Sequence, residues 1–306
     1  MSAFPPEGAF LGLEPAFCDR RRSRFAVLPV PYEKTTTYRK GTARGPAAIL
    51  EASEQVELYD ERAEDEPHRA GITTLPPFEF PGPPEALAAA LEKRVGEILD
   101  GKQIPVILGG EHSISLGPIR AAKSRFPSLG VLHFDAHGDL RDEYEGTRYG
   151  HGCVMRRVLE AKVPIVQVGV RSLSIEEAQA TRRARPGAIE KPPSGEALTF
   201  YMHDLPAFGD GLAAAVLSAL PDPVYLSFDL DAFDSSLMAA TGTPEPGGLL
   251  WEPVLRILDS VARARRIVAL DFVELLPTPG LHACEFLAAR LAYRAIGSVV
   301  RGKRTP

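Results

Sequence analysis

Short runs of hydrophobic residues, rich in Val, Ile and Phe, alternate along the chain with longer segments in which hydrophobic residues recur every three or four positions. Most of the short runs are bounded by Gly or Pro and are typical of strands buried on both faces. They predict strands at 25–30, 103–108, 130–134, 164–170, 198–201, 224–228 and 267–272. The longer segments predict helices at 46–59, 85–99, 118–126, 152–161, 175–183, 211–220, 252–263 and 283–300.

The regular alternation of strand and helix predicts an α/β protein built from βαβ units, with a mostly parallel sheet covered by helices on both faces. The Pro-rich segment 76–84 and the stretch 185–194 are predicted to be loops, because the alternation continues beyond each of them. We therefore expect a single domain over residues 25–306, preceded by an N-terminal extension over residues 1–24.

The composition is that of a globular protein and narrows the choice of partners. The 306 residues are 44% hydrophobic and 25% charged, which are ordinary values for globular proteins. With 35 basic and 40 acidic residues the net charge is −5, which argues against binding to nucleic acid. The basic cluster at 182–185 is expected to be an exposed surface turn.

Three features bear on the cellular compartment. Cys18, Cys153 and Cys284 are widely separated and odd in number, which favours a reducing compartment without a disulfide framework. Residues 1–6 lack the basic and apolar segments of a signal peptide. No apolar run approaches the roughly 18 residues that span a bilayer. We expect a cytoplasmic protein without a membrane partner.

Polar residues with metal-binding chemistry follow three of the predicted strands, in the segments 108–113, 132–139 and 226–234. Ligands of a parallel α/β sheet bind at the carboxyl ends of its strands. Side chains two residues apart in extended backbone point to the same side, so Asp135, His137 and Asp139 are predicted to project together. The same spacing brings Asp229 and Asp231 together at another strand end.

Carboxylates crowded into one cleft repel one another, and a divalent cation converts that repulsion into binding. Imidazole and carboxylate together suit Mn²⁺, Fe²⁺ or Zn²⁺, and no cysteine accompanies them in these segments. With His112 from the first segment, the set contains four Asp and two His, more ligands than one ion needs. The pattern therefore indicates a two-metal centre bridged by carboxylates.

Three sequence blocks resemble the ureohydrolase family of arginases and agmatinases: GGEHS at 109–113, FDAHGD at 134–139 and SFDLDAFD at 227–234. An N-terminal block at 30–49 and the stretch TGTPEPGG at 241–248 also fit, so the resemblance covers roughly residues 25–300. Bacterial and archaeal agmatinases are the most similar members. The resemblance implies a three-layer α/β/α sandwich with a central parallel sheet.

The resemblance also implies a cofactor, two Mn²⁺ ions per subunit, and a set of ligands for it. One ion would be held by His112, Asp135, Asp139 and Asp229. The other would be held by Asp135, His137, Asp229 and Asp231. Asp135 and Asp229 would bridge the pair. Near these ligands, His133 is expected to be a buried, hydrogen-bonded residue rather than a ligand, and Glu111 to support the cleft.

The reaction of the family implies roles for further residues. Two cations lower the pKa of a bridging water into the neutral range, and the resulting hydroxide attacks the planar guanidinium carbon. By resemblance, His151 gives or shuttles the proton that the leaving amine needs, and Glu274 pairs with the substrate guanidinium. Asp139 completes the predicted catalytic set. Thr147 is a predicted substrate-binding residue, since it keeps a hydroxyl where arginases carry Ser-Gly-Asn.

The predicted reaction is hydrolysis of agmatine to putrescine and urea, because Thr147-Arg148-Tyr149 replaces the arginase Ser-Gly-Asn. Departures from common agmatinases at 234–240 and 275–282 leave the substrate length open, and Glu143 and Glu145 are candidates for a distal amine. The other substrates considered within the family are N1-aminopropylagmatine, guanidinobutyrate, arginine and formimidoylglutamate. A deacetylase-like amide hydrolase and a non-catalytic scaffold are alternatives from other classes. The family implies a homotrimer or homohexamer.

Overall fold

The computed structural model describes residues 8–302. Residues 1–7 and 303–306 lie outside that range. The prediction that there is no signal peptide, made from residues 1–6, therefore concerns residues outside the described range. Within the range, one sheet has the strand order β2-β1-β3-β9-β8-β4-β5-β7-β6, and all neighbours are parallel. Its strands are β1 (Phe25–Val30), β2 (Ile72–Thr74), β3 (Ile104–Gly109), β4 (Gly130–Phe134), β5 (Ile165–Val170), β6 (Thr181–Arg183), β7 (Ala197–Tyr201), β8 (Val224–Asp229) and β9 (Ile267–Val273).

Helices cover both faces of this sheet. They are α1 (Pro15–Cys18), α2 (Gly45–Ser53), α3 (Pro84–Asp100), α4 (Leu116–Arg125), α5 (Val154–Glu160), α6 (Ile175–Gln179), α7 (Leu212–Ala219), α8 (Trp251–Ala264) and α9 (His282–Arg301). Side chains of successive β1 residues pack on opposite faces of the sheet. Phe25 and Val27 pack in the hydrophobic cluster with α2 and α9, and Ala26 and Leu28 pack in the cluster with α3. The predicted three-layer α/β/α sandwich is confirmed.

The structure differs from the pattern-based prediction at two edges of the sheet. β2 was not predicted, and the segment 175–183, predicted as one helix, divides into α6 and β6. Each of these edge strands has three residues and pairs with a single neighbour, so neither is long enough to show a hydrophobic period. The basic cluster at 182–185 therefore begins in an edge strand rather than in a turn, and Arg183 pairs with Asp204.

The described part of the N-terminal segment packs against the sheet. Phe10 and Leu13 are buried and belong to the same hydrophobic cluster as α2 and α9. The backbone N–H of Leu11 donates to the hydroxyl of Ser53 at the end of α2. Phe10, Leu11 and Leu13 thus share the core of the domain. Within residues 8–302, no helix is both long and apolar enough to traverse a bilayer.

The strand order decides where the polar segments meet. β3, β9, β8 and β4 are consecutive in the middle of the sheet, although they are far apart in the sequence. Because all of them are parallel, their carboxyl ends lie along one edge. The segments that follow these four strands therefore converge there, and the strand neighbours hold them at fixed spacing.

Candidate metal centre

The first group of ligands surrounds the imidazole of His112, at the turn after β3. Its Nδ1 atom lies 3.2 Å from one carboxylate oxygen of each of Asp135, Asp139 and Asp229. Within the described residues this buried Nδ1 atom has no hydrogen-bond partner. A buried lone pair facing three carboxylate oxygens at one distance is the arrangement of a cation site.

A second group of ligands adjoins the first, at the turn after β4. The Nδ1 atom of His137 lies 3.0 Å from Asp231 Oδ2 and 3.4 Å from Asp135 Oδ1. The other carboxylate oxygen of Asp135 faces His112, so this side chain offers one oxygen to each group. Asp229 contributes Oδ2 to the first group, while its Oδ1 accepts the Asp231 N–H at 2.9 Å. The two groups form a binuclear metal-binding site with Asp135 between them.

The electrostatics of the cluster favour a bound cation. Burial raises the pKa of Asp229, and the nearby carboxylates of Asp231 and Asp135 raise it further. Burial likewise raises the pKa of Asp231, although His137 opposes the shift. Carboxylates that have lost water and face one another are costly to ionise. A divalent cation would reverse that cost, which is why this donor set fits a metal.

Hydrogen bonds behind the site determine which nitrogen of His112 carries the proton. Its Nε2 atom lies 2.9 Å from the hydroxyl oxygen of Ser227, and that hydroxyl donates to Asp271 Oδ1 at 2.8 Å. Since a hydroxyl has one hydrogen, Ser227 accepts from His112, and Nε2 is protonated. The lone pair of Nδ1 is then free to face the carboxylates.

His133 is buried and is satisfied at both ring nitrogens, as expected for a residue that is not a ligand. The Nε2 atom of Gln167 donates to the Gly138 carbonyl at 2.7 Å, which identifies it as the amide nitrogen. The same Nε2 lies 3.0 Å from His133 Nδ1, which therefore accepts. His133 Nε2 then donates to Asp135 Oδ2 at 2.8 Å and orients that carboxylate.

Asp139 reaches the first group through an unusual backbone conformation. Its φ is +53°, in the left-handed region that L-residues rarely occupy. The start of α5 holds it there, because the backbone N–H groups of Met155 and Arg156 donate to the Asp139 carbonyl at 3.0 and 3.1 Å. The strained turn directs the carboxylate back toward His112.

The predicted catalytic residues His151 and Glu274 meet beside the metal ligands. Glu274 follows β9 with a φ of +67°, and its Oε1 atom accepts the His112 backbone N–H at 2.7 Å. His151 Nδ1 lies 3.7 Å from the same oxygen. Burial lowers the pKa of His151, but the carboxylate of Glu274, together with those of Asp139 and Glu111, outweighs burial and raises the pKa to about 9. His151 is therefore suited to carry a proton at neutral pH.

A cavity of about 310 Å³ opens onto these side chains. His137 and His151 line it, and its acidic lining residues are Asp139, Glu177, Asp229, Asp231, Glu245 and Glu274. Among the lining residues that the structure describes, Arg141 is the one Lys or Arg. The Nε atom of Arg141 lies 3.6 Å from Glu177 Oε2, and its guanidinium carbon lies 4.5 Å from the ring centroid of Tyr144. The cavity is therefore suited to a cationic ligand.

Thr147 lies outside that cavity, in the wall of a neighbouring one of about 460 Å³. Its hydroxyl accepts the Tyr149 N–H at 3.1 Å. Glu145 lines the same neighbouring cavity. Tyr144 and His151 line both cavities.

Several residues that support the site are not among the predicted site residues, including Thr35, Ser227 and Asp271. Ser227 is two positions before Asp229 in β8, and the spacing that places two aspartates on one side places it there as well. Asp271 is an acidic residue inside the otherwise apolar β9, which was a usable signal. Thr35 carries no local signal, because its partners lie 76 and 116 residues away.

A parallel α/β sheet with two adjoining cation sites at its carboxyl edge is typical of two-metal hydrolases. The sequence profile of the arginase family matches residues 23–297, and the chain belongs to this family. Its resemblance to ureohydrolases is thereby confirmed.

The chain is 37% identical over 280 residues to a protein named N(1)-aminopropylagmatine ureohydrolase from Synechocystis, with 89% of this chain and 87% of that protein covered. It is 32% identical over 290 residues to a protein named agmatinase from Pyrococcus horikoshii, with 92% and 94% covered. The crystal structure of agmatine ureohydrolase of Thermoplasma volcanium is similar, with a TM-score of 0.81, 29% identity, and 93% and 92% covered.

Proposed function

We propose that this protein hydrolyses the guanidinium group of a linear guanidine whose far end is also cationic, with agmatine giving putrescine and urea as the first candidate. The observation that carries the proposal is that one cavity is lined by four of the six proposed metal ligands, by the buried carboxylate Glu274 and by His151. A planar cation held by Glu274 would then lie beside the metal site. Membership of the arginase family supports the same chemistry.

The cofactor of this reaction is proposed to be two Mn²⁺ ions per subunit. Each group of ligands combines one imidazole with several carboxylate oxygens, a donor set that suits Mn²⁺ and other hard or borderline divalent ions. When bound, the two cations would make a water molecule easier to deprotonate at neutral pH. His112, Asp135, Asp139 and Asp229 would hold one ion, and Asp135, His137, Asp229 and Asp231 the other.

Glu274 and His151 would carry out the remaining steps, which are orientation of the substrate and protonation of the leaving amine. Glu274 can accept two parallel N–H groups from a guanidinium, which would set the plane of the substrate. An amine is a poor leaving group unless it is protonated as it departs. His151, whose Nε2 atom is buried and has no hydrogen-bond partner among the described residues, would give that proton.

The charges of the cavity support the choice of substrate class. Beyond the metal ligands, the cavity has three carboxylates, Glu177, Glu245 and Glu274, against its single Arg, and Arg141 is already faced by Glu177. A carboxylate at the far end of guanidinobutyrate, arginine or formimidoylglutamate would therefore meet net repulsion. Glu245 lies 4.0 Å from His137 Nε2 but has no ion pair with an Arg or Lys in the described range, and would be available to a distal ammonium.

N1-aminopropylagmatine is the second candidate substrate. The name of the Synechocystis relative favours it. So does the neighbouring cavity of about 460 Å³, which shares Tyr144 and His151 with the metal cavity and would give room for a longer chain.

The test is a substrate panel for the purified, Mn²⁺-loaded protein. Urea release would be measured from agmatine, N1-aminopropylagmatine, arginine and guanidinobutyrate, formamide release from formimidoylglutamate, and acetate release from acetylputrescine. A preference of at least about tenfold for either of the first two substrates would support the proposal. A preference for arginine or guanidinobutyrate would contradict the substrate class, and hydrolysis of acetylputrescine alone would favour the amide hydrolase. Two bound metals without hydrolysis of any guanidine would contradict the function.

Assembly and location are also proposals. A homotrimer or homohexamer is proposed from the family, and sedimentation velocity would measure it. A cytoplasmic location is supported by three cysteines that form no disulfide in the structure.

A further inference from the structure

The buried carboxylate of Glu111, the residue before His112, forms hydrogen bonds with a loop that is distant in the sequence. Glu111 is fully buried. Its Oε2 atom accepts the backbone N–H groups of Lys34 and Thr35, each at 2.6 Å. Its Oε1 atom accepts the hydroxyls of Thr35, at 2.8 Å, and of Ser113. Three of these four hydrogen bonds hold residues 34 and 35 against the turn that carries His112, and the fourth lies within that turn.

The hydroxyl of Thr35 connects the Glu111 carboxylate to the backbone of His151. It donates to Glu111 Oε1 and accepts the His151 backbone N–H at 3.0 Å. That N–H lies at the start of the helical segment that leads into α5, where no helical carbonyl can accept it. The loop also approaches Gly150 closely, since a Cβ atom there would lie 3.3 Å from both Cβ and Oγ1 of Thr35.

Glu274 is held by the same turn from the other side. The backbone N–H of His112, the residue after Glu111, donates to Glu274 Oε1 at 2.7 Å. The two side chains that face the cavity are therefore both held by the turn at Glu111 and His112. Glu274 bonds to this turn directly, and His151 is connected to it through Thr35. The distance between His151 Nδ1 and Glu274 Oε1, 3.7 Å, depends on both connections.

We infer that Thr35 is a positioning residue for the reaction, which sets His151 relative to Glu274 and the metal ligands through its hydroxyl. The expected effect on catalysis rests on the proposed function, whereas the expected effect on the position of His151 does not depend on any substrate. A displacement of about 1 Å between reacting groups is enough to cost roughly a hundredfold in rate. Thr35 itself belongs to neither ligand group of the metal site.

The test compares Thr35→Val, which removes the hydroxyl and keeps the shape, with Thr35→Ser, which keeps the hydroxyl. Thr36→Val is the matched control, because the Thr36 hydroxyl likewise donates to a glutamate, Glu33, at 3.0 Å, but forms no hydrogen bond with His151 among the described residues. With Mn²⁺ loaded, we expect Thr35→Val to lower kcat about 10- to 100-fold with a change in KM below about threefold. Thr35→Ser should restore most of kcat, and all variants should bind two metals.

Two measurements separate this inference from the proposed function. Crystal structures of the Mn²⁺-loaded Thr35→Val and Thr36→Val proteins would show whether only the first moves His151 away from Glu274. If the wild type hydrolyses no guanidine, the proposed function fails, and these structures alone support or overturn the positioning role. An unchanged His151 in Thr35→Val overturns the inference. So does an equal loss of kcat in Thr36→Val, or a failure of Thr35→Ser to restore kcat.

Discussion

The Nε2 atom of His112 lies 2.9 Å from the hydroxyl of Ser227, and this contact leaves the opposite ring nitrogen free to face three carboxylates. Ser227 can accept from His112 because its own hydrogen goes to Asp271. Asp271 is in turn held by the Tyr225 hydroxyl at 2.6 Å. The tautomer of this imidazole is therefore set by Ser227, Asp271 and Tyr225, which belong to neither group of ligands.

Replacing Ser227 by Ala should weaken metal binding without removing a ligand. The His112 Nε2–H would lose its acceptor, and the ring would no longer be held in one tautomer and orientation. We expect metal affinity to fall about 10- to 100-fold, which calorimetric titration of Mn²⁺ into metal-free protein would measure. Ser236→Ala, which removes a hydroxyl bound to Asp234 on the surface, is the control and should bind as the wild type does. Equal affinities for all three proteins would refute the role of Ser227.

Asp229→Asn should abolish activity and release much of the bound metal. The side chain loses the charge of the oxygen that lies 3.2 Å from His112 Nδ1, and the predicted bridging of the two ions by Asp229 would be lost. Metal content, measured by mass spectrometry after gel filtration, and urea release are the two readouts. Asp234→Asn, five residues further along, should retain two metals, since Asp234 bonds to Ser236 and Gly248. Full turnover in Asp229→Asn would contradict the two-metal assignment.

Glu274→Gln should damage substrate binding and leave the metals in place. The amide keeps the shape of the side chain but offers one oxygen instead of two and carries no charge, so its pairing with a guanidinium is weakened. We expect kcat/KM to fall at least about 100-fold, with about 3 kcal/mol as the corresponding loss. Loss of metal from this variant would show that Glu274 has a different role.

The same substitution should lower the pKa of His151. In the wild type the nearby carboxylates, Glu274 foremost, outweigh burial and raise that pKa to about 9, so His151 is protonated at neutral pH and loses its proton as the pH rises through about 9. Without the charge, the largest of the contributions that raise this pKa is lost, and the pKa should fall from about 9. Imidazole NMR of the metal-free proteins would follow the titration. An unshifted His151 would mean that other groups keep it protonated.

A buried ion pair far from the site should make stability depend on pH. Burial would raise the pKa of Asp60, but the Ala63 N–H and the Arg294 guanidinium outweigh burial and hold the pKa below its ordinary range. A lowered folded-state pKa stabilises the protein above the unfolded value, about pH 4, and this stability is lost as the pH falls through the folded value. Arg294→Met should therefore lower the free energy of unfolding by about 3 kcal/mol at pH 7, and by less below pH 4.

Urea-induced unfolding of the metal-free proteins at several pH values would test this prediction. Arg290→Met is the matched control, because Arg290 lies one turn earlier on α9 and pairs with the exposed Glu61. That pair should contribute at most about 1 kcal/mol. Equal losses in the two variants, or a loss for Arg294→Met that stays constant down to pH 3, would contradict the buried pair.

Local pattern alone was sufficient for the fold class and for most elements. The runs at 25–30 and 130–134 predicted β1 and β4 with their observed bounds, because a buried parallel strand is apolar on both faces and is bounded by breakers. The two-residue spacing in 135–139 and 229–231 also predicted the ligand-bearing strand ends. The local pattern did not predict the three-residue edge strands β2 and β6, because their pairing depends on a neighbouring strand rather than on their own residues.

Tertiary structure decided what those strand ends form together. The order β3-β9-β8-β4 brings His112, Glu274, Asp229 and Asp135 to one edge, and no local period encodes which strands become neighbours. Glu274 alone is one glutamate after a strand, and its function was inferred only from resemblance. The bonds from Ser227 to His112 and from Thr35 to His151 join residues 115 and 116 positions apart. Hydrogen bonds of this kind depend on distance in space, which only the packed sheet and its turns determine.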